Sequence, residues 1–371
     1  MALESRVEAL RISTHYLYGK GLANFILAAF CQLFTTPLNF IRTIGIALHD
    51  ASTVGLNSRT ALGLLYRFLA ACRVACILRE KNCRHLHAHF AHVPTDIAMY
   101  AVSLVGIPFS FTSHANDLFE RGYLLSEKIA RCTFAVTISE FNKSFMVAQG
   151  GERTKINIVR CGVDSTKFSS APPRFASPPY SIGTIGRMVE KKGFETLLHA
   201  AAMLQKRGVD FRLTIAGCGP LENELRATAV KLGLARIVDF PGPMVNEQVP
   251  LWLRSLDLFV LPCQQDSNGD MDGIPVVLME AMASGIPVIS TRISGVPELI
   301  AHGQDGLLVE PRSEAALANA ITQLLSSDEL RASFSRNGRL KVIREFDTEV
   351  NIRRLIKLLT GQGPLDSQME H

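Results

Sequence analysis

The sequence has one tryptophan, no Cys-x-x-Cys pair among its eight cysteines, and few acids in its first half. Scattered cysteines exclude a disulfide framework or a zinc ribbon and point to free, buried thiols in a reducing compartment. Aromatics make up 7% of the chain and are not interleaved with basic residues, so nucleic acid is excluded as a partner. The longest mostly apolar stretch, residues 21–41, is broken by Asn24, Gln32, Thr35, Thr36, Pro37 and Asn39. It reads as a buried or interfacial helix rather than a membrane span. A cleavable leader is not legible either, because Glu4 and Glu8 stand where basic residues would be needed.

What is present begins with size and charge. A chain of 371 residues, 47% of them hydrophobic, is long enough for two domains, each with its own core. Residues 1–170 carry 18 Lys and Arg against 11 Asp and Glu, while the rest carries 21 against 23. A basic first half suits an anionic membrane surface, here the inner membrane, or a polyanionic acceptor.

Short apolar runs alternate with helical patterns from Arg84 onward. Strands are expected at His85–Phe90, Pro108–Thr112, Phe134–Ile138 and Ile156–Val159, with a helix at Thr95–Leu104 and another capped by Ser139. A second series is expected near 181–185, 211–216, 236–240, 257–261, 287–290 and 307–309, closing in helices from about 313 to 360. The proline-rich segment 171–179 reads as the linker between the two. Alternation of this kind makes two doubly wound α/β domains, with ligand bound outside the strand C-termini. The opening residues, Met1 to Arg11, are charged and helical in pattern, and no convincing strand precedes Arg84. The first βαβ unit of the first domain is therefore expected to be divergent, or missing through a start site placed too far downstream.

The segment from Asp272 to Ser290 is the most specific in the chain. Asp272 is followed by Gly273, Ile274 and Pro275, then by an apolar helix carrying Glu280, and Gly285-Ile-Pro287 ends that helix before a strand. A helix N-terminus offers free N–H groups and the positive end of a dipole to a phosphate, and carboxylates accept hydrogen bonds from sugar hydroxyls. The pattern fits a ligand that is part phosphate and part polyol.

This acid-x7-Glu segment resembles the signature of retaining glycosyltransferases of family 4, the group 1 transferases, particularly those that build exopolysaccharides. Gly186-Arg187 through Lys192-Gly193 resembles the family's phosphate-binding segment. Ile215-Ala-Gly217-Cys-Gly219-Pro220 resembles the glycine turn that follows, and Phe111-Thr-Ser-His114-Ala-Asn-Asp117 its N-domain histidine loop. The resemblance runs from about Arg84 to the C-terminus. It implies the GT-B fold, two Rossmann-like domains facing across a cleft. Residues 1–172 would bind acceptor, 180–345 would bind donor, and 346–371 would form a helix crossing back to the first domain.

By the same resemblance, His114, Arg187, Lys192 and Asp272 are the catalytic candidates. Arg187 and Lys192 would hold the leaving diphosphate, where charge builds as the bond to the sugar breaks. Taken alone, the Gly-Arg pair reads as well as a solvated basic turn. Gly186, Gly217, Gly219, Gly273, Ile274, Pro275 and Glu280 would line the donor site, with Glu280 receiving the ribose hydroxyls. Asp272 stands where Glu is the commoner residue, and its shorter side chain bears on donor preference.

Two metal readings are considered and rejected. Asp266 to Asp270 lacks a complete calcium-loop spacing. His85, His87 and His89 share one face of a strand, yet a metal site would need ligands from other elements. No metal or other cofactor is expected. The activity implied is transfer of a sugar from a nucleotide-diphosphate donor to a lipid-linked saccharide, by an enzyme in the cytoplasm on the inner membrane face. The alternative is a non-catalytic or N-terminally truncated GT-B protein that binds nucleotide-sugar or a partner enzyme.

Overall fold

The computed structural model describes residue 11 and residues 14–169 and 177–361. The charged opening segment, most of the proline-rich linker and the last ten residues of the 346–371 segment lie outside the described residues.

Three helices come first: α1 (Gly21–Thr35), α2 (Pro37–Thr53) and α3 (Arg59–Glu80). The stretch 21–41 is therefore two helices that part at Thr36, because Pro37 cannot donate the N–H that would continue α1. Ser58 caps α3 by accepting from Ala61 N at 3.0 Å.

The first sheet then follows as β1 (Leu86–His89), α4 (Val93–Val105), β2 (Phe109–Thr112), α5 (Ala115–Phe119), α6 (Leu125–Arg131), β3 (Phe134–Thr137), α7 (Glu140–Ala148) and β4 (Ile156–Ile158). Its order is β1-β2-β3-β4, with β1 at the edge. Among the described residues no strand precedes β1.

The second series comprises β5 (Tyr180–Ile185), α8 (Phe194–Lys206), β6 (Phe211–Ala216), α9 (Glu222–Lys231), β7 (Val238–Asp239), α10 (Val249–Leu253) and β8 (Leu258–Val260). It continues with α11 (Val276–Ala283), β9 (Val288–Thr291), α12 (Val296–Leu299) and β10 (Leu307–Val309), and closes with α13 (Glu314–Leu325), α14 (Asp328–Glu345) and α15 (Thr348–Thr360). The six strands pair in parallel in the order β10-β9-β8-β5-β6-β7. Numbered along the series, that is the 3-2-1-4-5-6 order of a dinucleotide-binding fold. Such strands are covered on both faces, and Leu213, Ile215, Leu258, Phe259, Val260, Val288 and Ile289 are accordingly buried.

The chain forms two compact units. One gathers the residues up to Ser113 with Arg121–Val136 and Met146–Ile156; the other takes His114–Glu120, Thr137–Phe145 and everything from Asn157 onward. The loops after β2 and β3 thus cluster with the second unit.

All eight cysteines are free. Cys72, Cys132 and Cys263 are buried, but Cys31 and Cys218 are exposed, so the expectation of uniformly buried thiols fails for these two. Cys31 lies on the outer side of α1, and Cys218 sits in a tight turn between two glycines.

Candidate active site

In the six-stranded sheet the order reverses between β5 and β8, and ligands of open α/β sheets bind outside the strand C-termini at such a point. The residues that leave these two strands there are Gly186-Arg187 after β5 and the segment from Leu261 to Asp272 after β8. A turn at Glu190–Lys192 joins β5 to α8, and Gly193 follows it at φ 67°. A β-carbon on Gly193 would collide with the carbonyl oxygen of Pro262, so only glycine lets the two segments meet. The amide of Gln264 then donates to Lys191 O at 2.9 Å.

That approach brings charges 80 residues apart into contact. Lys192 Nζ lies 2.7 Å from Asp272 Oδ2, and Lys191 Nζ lies 2.6 Å from Asp270 Oδ2 and 3.7 Å from Asp272 Oδ1. These side chains are 14–20% exposed, buried enough for the pairs to be worth more than surface ones. Burial works against the charge of Lys191, but the hydrogen bond to Asp270 and the field of Asp272 raise its pKa. Arg187 is exposed, and its guanidinium has no hydrogen-bond or ion-pair partner among the described residues. Two cations are thus held by acids and one stands open to solvent.

The loop at Asp266–Asp270 is tied down. Asp266 Oδ1 accepts from the amides of Asn268 and Asp270, both at 2.9 Å, and Glu190 accepts from Ser267 N at 3.0 Å. Arg312 bridges Glu190 and Gln265 O at 3.0 and 2.7 Å. Asp270, which sequence reasoning offered only as a failed calcium ligand, is the partner of Lys191.

Pro275 stands at the N-cap of α11, one position outside the first turn, and Glu280 lies on the helix beyond it. Leu278, Met279, Ala281 and Met282 are buried around Glu280. Its half-buried carboxylate has no hydrogen-bond or ion-pair partner among the described residues. Burial alone raises its pKa. An acid whose pKa is raised on folding binds protons more tightly in the folded state, so its ionisation costs stability as pH rises through the gap between the two values. Glu280→Gln is therefore expected to melt higher than the wild type at neutral pH, with the gain vanishing below the ordinary glutamate range. Thermal unfolding at neutral and acidic pH measures this, and an unchanged or lower melting point at neutral pH would contradict it.

Gly217 and Gly219 have a steric reason. Gly217 adopts φ 117°, and a β-carbon there would strike Gly186 O; one on Gly219 would stand 2.5 Å from Met188 O. The turn after β6 packs backbone to backbone on the turn after β5, with Met188 N donating to Cys218 O at 2.8 Å. Gly186, Gly217 and Gly219 thus hold the segment that carries Arg187.

Gly273 links this site to the histidine loop. A β-carbon on it would lie 2.8 Å from Ile138 Cδ1 and 3.3 Å from Ala115 Cβ, while Gly295 N donates to Gly273 O at 3.2 Å. Ile274 is buried beside it. His114 precedes Ala115 at the N-cap of α5, its own amide donating to Asp117 Oδ1 at 2.7 Å. The half-buried His114 ring has its Nδ1 3.9 Å from Cys161 Sγ, a thiol whose pKa burial raises. His114, Gly273 and Glu280 all belong to the second compact unit.

His85 and His87 serve the first sheet. Ser110 Oγ lies 2.7 Å from both rings, and Thr112 Oγ1 is 2.9 Å from the other nitrogen of His87. Burial first, then His89 and His85, pushes the His87 pKa down to about 4, so this ring stays neutral near pH 7.

One acid escaped sequence reasoning. Glu298 on α12 accepts from the amides of Glu140 and Phe141, both at 3.0 Å, and pairs with Arg160 at 2.7 Å. Its partners lie 138–158 positions away, which no local pattern reveals.

Comparison with known proteins agrees with this geometry. A family model described as glycosyl transferases group 1 matches residues 165–341. WcaL of Escherichia coli K12, a glycosyltransferase assigned to colanic acid biosynthesis, is 38% identical over 344 residues, which cover 92% of this chain and 76% of WcaL. The chain belongs to the group 1 glycosyltransferases. The amylovoran biosynthesis glycosyltransferase AmsK of Erwinia amylovora is 32% identical over 252 residues, covering 66% of this chain and 62% of its own. Among solved structures, HepE of Anabaena in complex with UDP superposes with a TM-score of 0.70 at 18% identity, over 79% of this chain and 82% of its own. A glycosyltransferase from Rickettsia africae gives 0.68 at 20% identity, over 82% and 83%. These likenesses establish the GT-B fold for this glycosyltransferase.

Proposed function

We propose that this glycosyltransferase moves a sugar, with retention of configuration, from a nucleotide-diphosphate donor to a lipid-linked saccharide in exopolysaccharide or lipopolysaccharide assembly. It works without a metal or other cofactor, in the cytoplasm and peripherally on the inner membrane face. The observation that carries the reading is the arrangement at the sheet's reversal point: a free Arg187, a Lys192 paired with Asp272, and an unpartnered, half-buried Glu280.

Each group has a chemical task in that reaction. Arg187 grips the diphosphate through its planar fork, and Lys192 adds a compact charge as negative charge builds on the leaving group. Asp272 holds Lys192 in place before the donor arrives and then faces the transferred sugar. Glu280 accepts hydrogen bonds from the donor ribose. The first N–H groups of α11, behind Gly273, Ile274 and Pro275, cradle a phosphate or sugar oxygen. His114 orients the sugar from the other side. No nucleophile is assigned, and catalysis rests on positioning and leaving-group stabilisation.

Support for the donor class comes from the UDP complex of HepE, and for the pathway class from the assignments of WcaL and AmsK. The test is calorimetric titration of UDP, GDP, ADP and their sugar conjugates into wild type, Arg187→Ala and Glu280→Ala. The wild type is expected to select one nucleotide, and each variant to lose about tenfold or more in affinity, as for a lost hydrogen bond to a charged group. A folded wild type that binds none of them would overturn the reading.

A further inference from the structure

The first two helices bury several polar side chains among their inner apolar ones and carry an apolar outer face. Gln32 on α1 is buried and donates to Cys72 O at 3.4 Å; Asn39 on α2 donates to Leu104 O at 3.2 Å, and Thr43 to Ser103 Oγ at 2.9 Å. Asp50 is fully buried and holds both Arg131 at 2.6 Å and the Tyr100 hydroxyl at 3.0 Å. The outward positions carry Ile26, Phe30 and Phe34 at steps of four on α1, then Leu38, Ile41 and Leu48 on α2. Phe34 and Leu38 are 80% and 82% exposed. Helices that face water are patterned the other way. Residues 21–35, the whole of α1, hold no charged side chain.

We propose that the outer face of α1 and α2 lays this glycosyltransferase into the surface of an anionic lipid bilayer, both helices lying in the membrane plane. This deepens the peripheral membrane part of the function proposed above and rests on it. Length argues for lying rather than spanning: the 15 residues of α1 reach about 22 Å, short of a hydrocarbon core of roughly 30 Å, before Pro37 breaks the helix. Among the described residues only α3 is long and apolar enough to cross. Its Leu64, Phe68, Cys72 and Ala75 are buried, and its Arg67 and Arg79 are bonded to Asp96 and to Leu104 O. It is the core helix of the layer rather than a span.

Charge selects the partner. Residues 21–80, which span the three helices, carry five arginines and two acids: Asp50, which is held by Arg131, and the exposed Glu80 at the end of α3. Arg42 on α2 and Arg59 at the start of α3 are exposed. An apolar stripe with more exposed cations than acids beside it matches acyl chains beneath anionic headgroups. It does not match a protein partner, whose contact would bury those cations against opposing acids.

The test is co-sedimentation of the full chain with phosphatidylethanolamine–phosphatidylglycerol vesicles and with phosphatidylcholine vesicles, alongside nucleotide titration. The wild type is expected to bind both and to prefer the anionic vesicles. A Phe30→Ser, Phe34→Ser, Leu38→Ser triple variant, altered only at exposed positions, is expected to lose about tenfold or more in partitioning. Arg42→Glu with Arg59→Glu is expected to lose only the preference for phosphatidylglycerol. Nucleotide affinity stays unchanged in both variants, which separates this inference from the donor-site reading. The inference is overturned by a triple variant that binds vesicles like wild type, by a wild type that ignores them, or by a wild-type dimer that the triple variant dissolves.

Discussion

Lys192→Ala is expected to lower kcat/KM for sugar transfer by about 10²–10³, the size of effect seen when one group that stabilises transition-state charge is removed. Lys192 is held 2.7 Å from Asp272, with both side chains about 85% covered. A lysine fixed this way spends little on immobilisation when the donor arrives. Its charge counts most when the bond to the diphosphate is breaking, so kcat should fall more than donor affinity does. Lys192→Arg is expected to recover only part of the loss, because a planar fork does not reproduce the compact point charge of an ammonium. Initial rates of nucleoside diphosphate release, with membranes as the acceptor source, measure the effect. A variant that keeps more than a tenth of wild-type kcat/KM would remove Lys192 from the machinery.

Asp96→Ala is expected to destabilise the protein by about 3–5 kcal/mol, on the order of 10 °C in the melting point. Asp96 and Lys128 are both fully buried and meet at 2.9 Å. Arg67 reaches the same carboxylate at 2.9 Å and the Tyr123 hydroxyl at 2.7 Å. The ammonium of Lys128 also donates to Ala91 O at 2.7 Å and Tyr123 O at 2.9 Å and lies 4.3 Å from the Tyr123 ring centre. Removing Asp96 would leave this ammonium buried without a counter-charge, which costs far more than the net worth of the pair. Arg67→Met, at a partly exposed partner, should cost much less. Denaturant unfolding of both variants decides it, and a loss below about 1 kcal/mol for Asp96→Ala would mean that water reaches Lys128.

Much of the second sheet was legible in the sequence. Its strands fall within a residue or two of their expected places, because most are apolar runs with buried centres bounded by turn residues. Strand β7 shrinks to Val238–Asp239, where exposed neighbours leave little to bury. The carboxylate of Glu280 within an apolar helix was also legible. The pairings at the site were not. Lys191 read as a bystander and Asp270 as a failed metal ligand until the chain set them 2.6 Å apart.

By itself the sequence determined the parallel α/β class and the run of turns and helix starts. Those follow from local period, backbone geometry and side-chain chemistry, which act over a few residues. Only the tertiary structure decided which charges meet and which faces are covered. In residues 21–41 the polar side chains looked like interruptions of an apolar run. Folding turns Gln32 and Asn39 inward to hydrogen-bond partners and leaves Phe34 and Leu38 outside. Whether a side chain is buried depends on what packs against it from distant parts of the chain, and no local pattern carries that information.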